Sequence, residues 1–360
     1  MKISLQCLCA MACAAAAQTY EECHVSRGGA TARERAMPGR RRLLPNATAA
    51  EAGRRRLLPK PITKEPGPKP AGSVTFLVVS RARSGTDWLR AMLNDHRRVC
   101  MEDEAVNDIR TMRTKLLRKG EPLDSVDRQS DALLQKRLTN VASGNFIKRM
   151  RRKDDVLKCR CNSEQVCARG FKWFNSQGGA CPLSPEVYSH PKYKRTPCNA
   201  QSNETLREWI RDNEARVIYL ERLGVEKYMS GFAHENRTLP LHCATDACAQ
   251  KVAAGVGTVR VDVHNLLRKL RLQQAEMAAL RDWAAAAGAA YLSLQYGELR
   301  RDPVGVVSRI YAFLGAEPHE TRPDLYTRSM RKPLSEYFEN LDEVREALRG
   351  TPWAADPVLA

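Results

Sequence analysis

The chain has 360 residues, a formal net charge of +18 and a sequence pI near 9.6. This excess of positive charge predicts an anionic partner: nucleic acid, a membrane surface, or a phosphorylated or sulfated molecule. Nucleic acid is disfavoured as the partner because aromatic residues make up only 6% of the chain and do not alternate with its basic runs.

The first 22 residues have the pattern of a secretory targeting segment. Lys2 precedes the mostly apolar stretch Ile3 to Ala17, whose last residues, Ala15-Ala16-Ala17, have the small size that a signal peptidase requires. A stretch of about 15 residues is short for a membrane span. We therefore expect a cleaved signal peptide or a short signal anchor at residues 1–22, with no other membrane attachment. The expected location is the secretory pathway, in the Golgi lumen or outside the cell.

Residues 23–72 lack an apolar period and are rich in Arg and Pro. The sequence GRRRLLP occurs twice here, at Gly39–Pro45 and at Gly53–Pro59. Such a composition does not bury a core, so we expect a disordered basic stem that tethers the protein, with Arg clusters that contact an anionic glycan or serve as processing sites as the alternatives. One folded domain is then expected over residues 73–352.

Strand and helix patterns alternate from Ser73 onward. Apolar, β-branched runs predict three buried parallel strands, at Val74–Val79, Arg216–Leu220 and Ala290–Leu294. Helical patterns cover Leu266–Ala287 and Val304–Leu314, the second bounded by Asp302-Pro303 and Gly315. This alternation predicts an α/β fold in which helices cover both faces of a parallel sheet.

Five of the twelve cysteines lie between residues 159 and 198, which predicts a disulfide framework in an oxidising compartment. A zinc site is the alternative, but Cys159 and Cys161 are separated by one residue and no His stands at ligand spacing, so we expect no metal. We expect Asp131–Cys198 to form a long, disulfide-tied excursion. Glycosylation sequons compatible with a secretory glycoprotein occur at Asn46, Asn203 and Asn236.

The first predicted strand leads directly into a segment with the features of an anion-binding loop, Ser80 to Leu89. Free backbone N–H groups and the helix dipole favour an anion where a helix begins, and Gly85 permits close backbone approach. Arg83 adds a positive charge, and Ser84 and Thr86 add hydroxyl groups. The alternative is an ordinary strand-to-helix turn. The GxxxxGK[ST] sequence of a Walker loop is absent, which disfavours a nucleotide phosphotransferase.

This segment resembles the loop of the sulfotransferases that use 3′-phosphoadenosine 5′-phosphosulfate (PAPS), in which a strand leads into Lys/Arg-Ser-Gly-Thr/Ser-x-Trp/Phe-Leu. The family's second signature, a strand followed by Arg and, eight positions later, Ser, is matched by Arg222 and Ser230. The resemblance implies a sulfotransferase fold with a P-loop-like sheet. It also implies that Arg331 or Lys332, near the end of the chain, contacts the 3′-phosphate. The residues that would bind PAPS and its product PAP are Arg83, Ser84, Gly85, Thr86, Asp87, Trp88, Arg222 and Ser230.

Further stretches resemble the carbohydrate and bacterial glycolipid branches of that family. They are the helix at Leu93–His96 leading to Glu104, with Arg97 where Pro is usual, the Gly170-Phe171-Lys172 strand, the segment Leu294–Gly315, and the terminal segment Arg331–Thr351. The resemblance implies in-line transfer of a sulfuryl group from PAPS to a hydroxyl or amine, with a carbohydrate or glycolipid as the acceptor.

The same resemblance suggests catalytic roles. Arg83 and the loop N–H groups would stabilise the leaving group, and Glu104 would be the general base. Glu102 and Asp103 are adjacent, so the position of the base stays open among these acids. Lys172 would face the sulfate or the acceptor, whereas His96 has the placement of a packing or capping residue.

The alternative outside enzymes is a secreted basic protein that binds anionic glycans without turnover. It predicts that substitution of Arg83, Ser84 and Arg222 is tolerated, whereas the sulfotransferase hypothesis predicts that it is not.

Overall fold

The computed structural model describes residues 73–82, 84–146, 159–160, 167–174, 199–228, 258–287, 290–323 and 338–354, with the single residues 247, 250 and 336. The predicted targeting segment and stem lie outside the described residues, as do the predicted site residues Arg83, Ser230, Arg331 and Lys332. All residues of the sheet belong to one compact unit, Leu57–Ala360.

The described core contains a five-stranded sheet with the order β2-β3-β1-β4-β5, in which every neighbouring pair is parallel. The apolar runs predicted as strands are confirmed as β1, β4 and β5, and Gly170-Phe171-Lys172 lies within β3. The strands are β1 (Val74–Ser80), β2 (Val99–Glu102), β3 (Ala168–Phe174), β4 (Arg216–Glu221) and β5 (Tyr291–Gln295).

Helices pack on both faces of this sheet, as the sequence predicted. They are α1 (Thr86–Asp95), α2 (Asn107–Arg118), α3 (Leu123–Ala142), α4 (Ala200–Asp212), α5 (Val263–Ala286), α6 (Tyr296–Arg301), α7 (Pro303–Leu314) and α8 (Leu341–Leu348). Phe76 and Val78 of β1 pack with the apolar side chains of α1 and α7 on one face. Leu77 and Val79 pack with α3, α4 and α5 on the other. This alternation follows from the two-residue period of a strand.

The residues at the two ends of α7 explain why its start and end could be predicted from the sequence. Pro303 occupies the first turn, the Asp302 carboxylate accepts a hydrogen bond from the Gly305 N–H at 2.8 Å, and Gly315 ends the helix with φ of 65°. Helices commonly begin with an acidic N-cap residue followed by proline in the first turn, and they commonly end at a glycine in the left-handed conformation.

The segment predicted as a disulfide-tied excursion begins, instead, as part of a regular helix. Residues 131–142 belong to α3, which buries Val126, Leu134, Leu138 and Val141 in the core. The excursion prediction was therefore wrong for this part of the chain. Cys159 does form a disulfide, and its partner is Cys100 in β2.

Within the described parts of the chain, every helix is too short or too polar to cross a bilayer.

Gly170 tests the close packing of the central strands, because it lies opposite Phe76 in the pairing of β3 with β1. A Cβ atom at residue 170 would collide with the Phe76 carbonyl oxygen and lie 2.6 Å from its ring. We expect Gly170→Ala to lower the free energy of unfolding by about 2 kcal/mol or more, since neighbouring backbone cannot move aside cheaply. The measurement is urea denaturation.

The matched control is Gly297→Ala in α6, where an added Cβ would meet nothing within 4 Å. Alanine is favoured over glycine in helices by about 1 kcal/mol, so this variant should be as stable as the native protein or more so. Equal stabilities for the two variants would contradict the described packing of β1 on β3.

Candidate active site

The carboxyl ends of the five parallel strands lie at one edge of the sheet. In open α/β sheets, ligands bind at this edge. At this edge β1 continues into residues 81–85, here called the β1–α1 loop, and β2 continues into Asp103 and Glu104. Arg222 follows β4, and Tyr296 follows β5. The edge therefore gathers side chains that are far apart in sequence.

The β1–α1 loop is anchored on both sides. The Ser80 hydroxyl donates a hydrogen bond to the Leu220 carbonyl of β4 at 2.7 Å, and Arg81 forms an ion pair with the fully buried Glu276 of α5. Gly85 adopts φ of 85° and precedes α1, whose first turn receives no side-chain cap from the described residues. The first N–H groups of a helix lack intrahelical acceptors, so this turn has the geometry for an anion.

The Tyr296 ring contacts two predicted anion-binding elements. A Cβ atom at Gly85 would lie 2.5 Å from Tyr296 Cε2, so the ring packs closely on the glycine. The Arg222 guanidinium lies 4.0 Å from the centroid of the same ring, a cation–π contact, and it pairs with Glu226 at 3.0 Å. One buried ring therefore sets the position of Arg222 relative to the loop.

Lys227 also reaches the β1–α1 loop, and the sequence analysis missed it. Its amine lies 3.4 Å from the Ser84 hydroxyl oxygen; the lysine is only 4% exposed and Ser84 is fully buried. The sequence signal that could have found it is its place between Arg222 and Ser230, the two predicted phosphate ligands.

Lys172 lies at the centre of a cluster of carboxylates. Its amine, which is buried, pairs with Asp87 of α1, with Asp103 at 2.6 Å, and with Glu104 at 3.6 Å. Asp103 also forms an ion pair with Arg90 at 2.9 Å. The structure thus brings together the predicted residues Lys172, Glu104 and Asp87, on the side of β1 that faces β2 and β3.

The electrostatics of this cluster differ from one carboxylate to the next. Burial disfavours the charge of Lys172, but Asp87 and Asp103 outweigh it and raise the lysine pKa. Burial also opposes ionisation of Asp103, yet Lys172 and Arg90 lower its pKa. In Glu104, burial raises the pKa, and the charges of Asp103 and Asp87 add to this effect while Lys172 opposes it. Of the two neighbours Asp103 and Glu104, Glu104 therefore binds a proton more readily.

His96 has the packing role that the sequence predicted. It lies at the other end of α1, roughly 15 Å from the loop by the rise of a ten-residue helix. Its Nδ1 accepts a hydrogen bond from the Arg98 N–H at 2.9 Å, and its Nε2 lies 3.1 Å from the Glu317 carbonyl oxygen. Burial lowers its pKa.

The other predicted donor-binding residues lie at the start of α1. Ser84, Thr86 and Trp88 are buried, and the Trp88 indole donates a hydrogen bond to the Pro323 carbonyl at 2.9 Å. No group of His, Cys, Asp and Glu side chains among the described residues has the arrangement of a metal site.

Comparison with known proteins places this geometry in a family. The model of the Sulfotransferase family matches residues 76–320. Among solved structures, a sulfotransferase from Alicyclobacillus acidocaldarius is 15% identical with a TM-score of 0.34, and the match covers 77% of this chain and 94% of that chain. The sulfotransferase domain of the olefin synthase of Synechococcus PCC 7002 is 14% identical with a TM-score of 0.26, covering 81% of this chain and 96% of that chain. No curated protein matches the sequence.

The family match runs from β1 past the end of α7 and takes in the loop, the carboxylate cluster and Arg222. The chain belongs to the sulfotransferase family.

Proposed function

We propose that this sulfotransferase moves a sulfuryl group from PAPS to a hydroxyl or amine of a carbohydrate or glycolipid acceptor. The observation that carries the proposal is the contact of one ring, Tyr296, with both Gly85 of the β1–α1 loop and Arg222 after β4. PAPS carries two anionic groups, a 5′-phosphosulfate and a 3′-phosphate. Two anion-binding elements on neighbouring strands suit such a donor.

The donor would use the two elements separately. The loop N–H groups, with Ser84, Thr86 and Arg83, would bind the 5′-phosphosulfate, and Arg222 with Ser230 would bind the 3′-phosphate. The Glu226 carboxylate forms an ion pair with one nitrogen of the Arg222 guanidinium. A guanidinium has five N–H donors in a fixed plane, so Glu226 can orient Arg222 while other donors bind phosphate.

Transfer would then proceed by in-line attack of the acceptor on sulfur. The bond from the acceptor oxygen or nitrogen to sulfur forms as the bond from sulfur to the bridging oxygen breaks, and PAP departs with that electron pair. Glu104 would take the acceptor's proton, since its raised pKa makes it a better base than Asp103. The loop N–H groups and Arg83 would stabilise the charge on the leaving oxygen.

The donor site is tested by calorimetric titration of the native protein and an Arg222→Ala variant with PAP. We expect the variant to bind PAP at least about tenfold more weakly, because it loses a charge-assisted hydrogen bond to the 3′-phosphate. The matched control is Arg300→Ala. Arg300 also pairs with Glu226, at 3.4 Å, but 44% of its side chain is exposed, against 9% for Arg222, so its loss should leave PAP affinity unchanged.

If the folded native protein binds no PAP, the donor proposal is wrong, and a basic protein that binds anionic glycans without turnover becomes the better hypothesis. If Arg222→Ala and Arg300→Ala weaken PAP binding equally, net charge rather than a built site explains the binding.

The role of Glu104 is tested by the pH dependence of kcat/KM, with an acceptor found by screening hexosamines, glycosaminoglycan oligosaccharides and glycolipids. The base must be ionised, so activity should be lost as pH falls through the Glu104 pKa, which is raised above its ordinary value. Glu104→Gln should lower kcat by about 10²- to 10⁴-fold and remove this acid limb. An unchanged acid limb in that variant would assign the base to another residue.

Lys172 provides an independent check on the same group. The Lys172 charge lowers the pKa of Glu104, so Lys172→Met should move the acid limb to higher pH, whereas Lys172→Arg, which keeps the charge, should move it little. A shift of the limb to lower pH in Lys172→Met would contradict the assigned electrostatics.

We also propose that the protein works in the secretory pathway, with its N-terminal segment as the targeting signal. The Cys100–Cys159 disulfide supports an oxidising compartment. Of the three sequons, only that at Asn203 lies among the described residues. There the Asn203 side chain accepts a hydrogen bond from the Trp283 indole at 2.7 Å, and the Thr205 hydroxyl donates to Asp131 at 2.9 Å. A glycan would be attached to the amide nitrogen of this side chain, which these contacts hold against the protein beside the buried Thr205.

We therefore expect folded protein from secreting cells to be glycosylated at Asn46 or Asn236 and not at Asn203. An Asn203→Gln variant should show the same glycosidase-induced shift in mass as the native protein, whereas Asn46→Gln with Asn236→Gln should abolish it. A chain that stays in the cytosol without glycans would contradict the proposed location.

A further inference from the structure

The exposed side of α2 carries two cations to which the mechanism above gives no role. They are Arg110 and Lys115, and the polar residues Asn107 and Thr111, also exposed, lie between them around the helix axis. We call these four residues the outer face of α2. In the part of the chain that the structure describes, neither cation pairs with a carboxylate. The outer face is therefore a surface of positive charge without an acidic partner of its own.

Contacts on the other sides of α2 explain why no carboxylate reaches its outer face. Arg113 is fully buried, donates a hydrogen bond to the Ser130 hydroxyl of α3 at 2.8 Å, and pairs with Asp127. Asp108 is the one acidic residue in the sequence of α2, and it pairs with Arg137 of α3. These acidic side chains are therefore used to hold the two helices together.

The outer face begins beside the proposed general base. The Glu104 carbonyl accepts a hydrogen bond from the Asn107 N–H at 3.1 Å, so a tight turn joins Glu104 to the first residue of α2. By the rise of an α-helix, Arg110 lies roughly 4.5 Å and Lys115 roughly 12 Å beyond Asn107 along the axis. A long acceptor that presents its nucleophile to Glu104 can therefore extend over both cations.

The chemistry of the outer face favours a polar, anionic chain over a lipid or a protein. Its cations suit carboxylate or sulfate groups, and the Asn107 amide and Thr111 hydroxyl suit the hydroxyl groups of a sugar. Among the described residues, the exposed large apolar side chains are Leu123 and Val304, and neither belongs to α2. A lipid tail, or the core of a protein interface, requires apolar and aromatic surface.

We propose that the acceptor is an acidic polysaccharide, bearing uronic acid or sulfate groups, whose chain lies along the outer face of α2. This inference rests on the proposed function and narrows its acceptor class. Arg110 and Lys115 bind acidic groups on sugar units next to the one that is sulfated at Glu104. These contacts are the same before and during transfer, so they set the KM of the acceptor rather than kcat.

The test uses hexasaccharides in which glucuronic acid alternates with N-acetylglucosamine or with N-acetylgalactosamine. Each is compared with the same hexasaccharide after reduction of its carboxyl groups to neutral hydroxymethyl groups, and with an acidic peptide that has the same number of carboxylates. Binding to the full chain is measured by calorimetry in the presence of PAP, and kcat and KM are measured with PAPS. We expect the native protein to bind an acidic hexasaccharide at least about tenfold more tightly than its reduced form, with a preference that falls as salt screens the charges.

The main variant is Arg110→Gln with Lys115→Gln, because glutamine removes the charge and keeps a similar helix propensity. We expect it to weaken binding of the acidic hexasaccharide, and to raise its KM, by about 5- to 20-fold, with PAP affinity and kcat unchanged. Arg110→Lys with Lys115→Arg keeps both charges and should bind like the native protein. Thermal unfolding of each variant checks the fold.

The matched control is Arg301→Gln with Arg309→Gln. It removes two exposed charges from helices that pack on the other face of the sheet, so it should bind the acidic hexasaccharide like the native protein. Equal weakening by the two double glutamine variants would overturn the inference, because net charge would then explain the binding.

Three further outcomes decide the matter. Equal affinity for the acidic and reduced hexasaccharides, or no binding of either, shows that the inference is wrong. Tighter binding of the acidic peptide than of the hexasaccharides also overturns it and assigns the outer face to a protein acceptor. If an acidic hexasaccharide binds through Arg110 and Lys115 but the protein binds no PAP, the outer face stands as a glycan-binding surface and the proposed sulfuryl transfer fails.

Discussion

The parallel pairing of β1 between β3 and β4 is the constraint on which the site depends. The three strands bury side chains on both faces, so they are stable only when helices cover both sides, and all of them then end at the same edge. Ser80, at the end of β1, is opposite Phe174 in β3 and Leu220 in β4. A shift in this register would move the loop relative to Lys172 and to Arg222 at once, and Gly170 permits the required close approach to Phe76.

The strand order divides the edge into two electrostatic halves. Beyond β1 on the β4 side lie two cations, Arg222 and Lys227, near the β1–α1 loop. On the side of β3 and β2, Lys172 is surrounded by Asp87, Asp103 and Glu104, which suits the handling of a proton from an acceptor. Several cations already have carboxylate partners, as Arg81 has Glu276 and Arg222 has Glu226. Cations held in advance need little reorganisation when charge develops on a leaving group.

The elements that could be predicted are those whose signals lie within one short stretch of the sequence. β1, β4 and β5 are uninterrupted apolar runs, and α7 has both of its boundary signals, so each was predicted within one or two residues. β2 was missed because it has only four residues and follows two arginines. In α3, a narrow apolar stripe lies among many charged residues, and the nearby cysteines led to a prediction of irregular structure.

The same distinction holds for the site. The loop and Arg222 were predictable because each is a short motif after a strand, and the structure places both beside Tyr296. The Lys172 cluster joins residues from α1, β3 and the end of β2, and Lys227 meets Ser84 across 143 positions of the chain. Such contacts are fixed by sheet register, which no local pattern in one sequence reports.

The far end of α1 explains how the geometry of its first turn can stay fixed. The Asp95 side chain is nearly fully buried. It accepts a hydrogen bond from Arg322 at 3.0 Å and forms an ion pair with Arg160 at 2.9 Å. Burial opposes its ionisation, but the two arginines outweigh this and lower its pKa, so the carboxylate stays charged. Arg160 follows Cys159, which the disulfide ties to Cys100 in β2. The helix is therefore anchored at its C-terminal end by ion pairs, one of them from the residue that follows the disulfide-bonded Cys159, and at its start by Tyr296 on Gly85. With both ends fixed, the N–H groups of the first turn keep one orientation, and an anion that bound there would not have to order them.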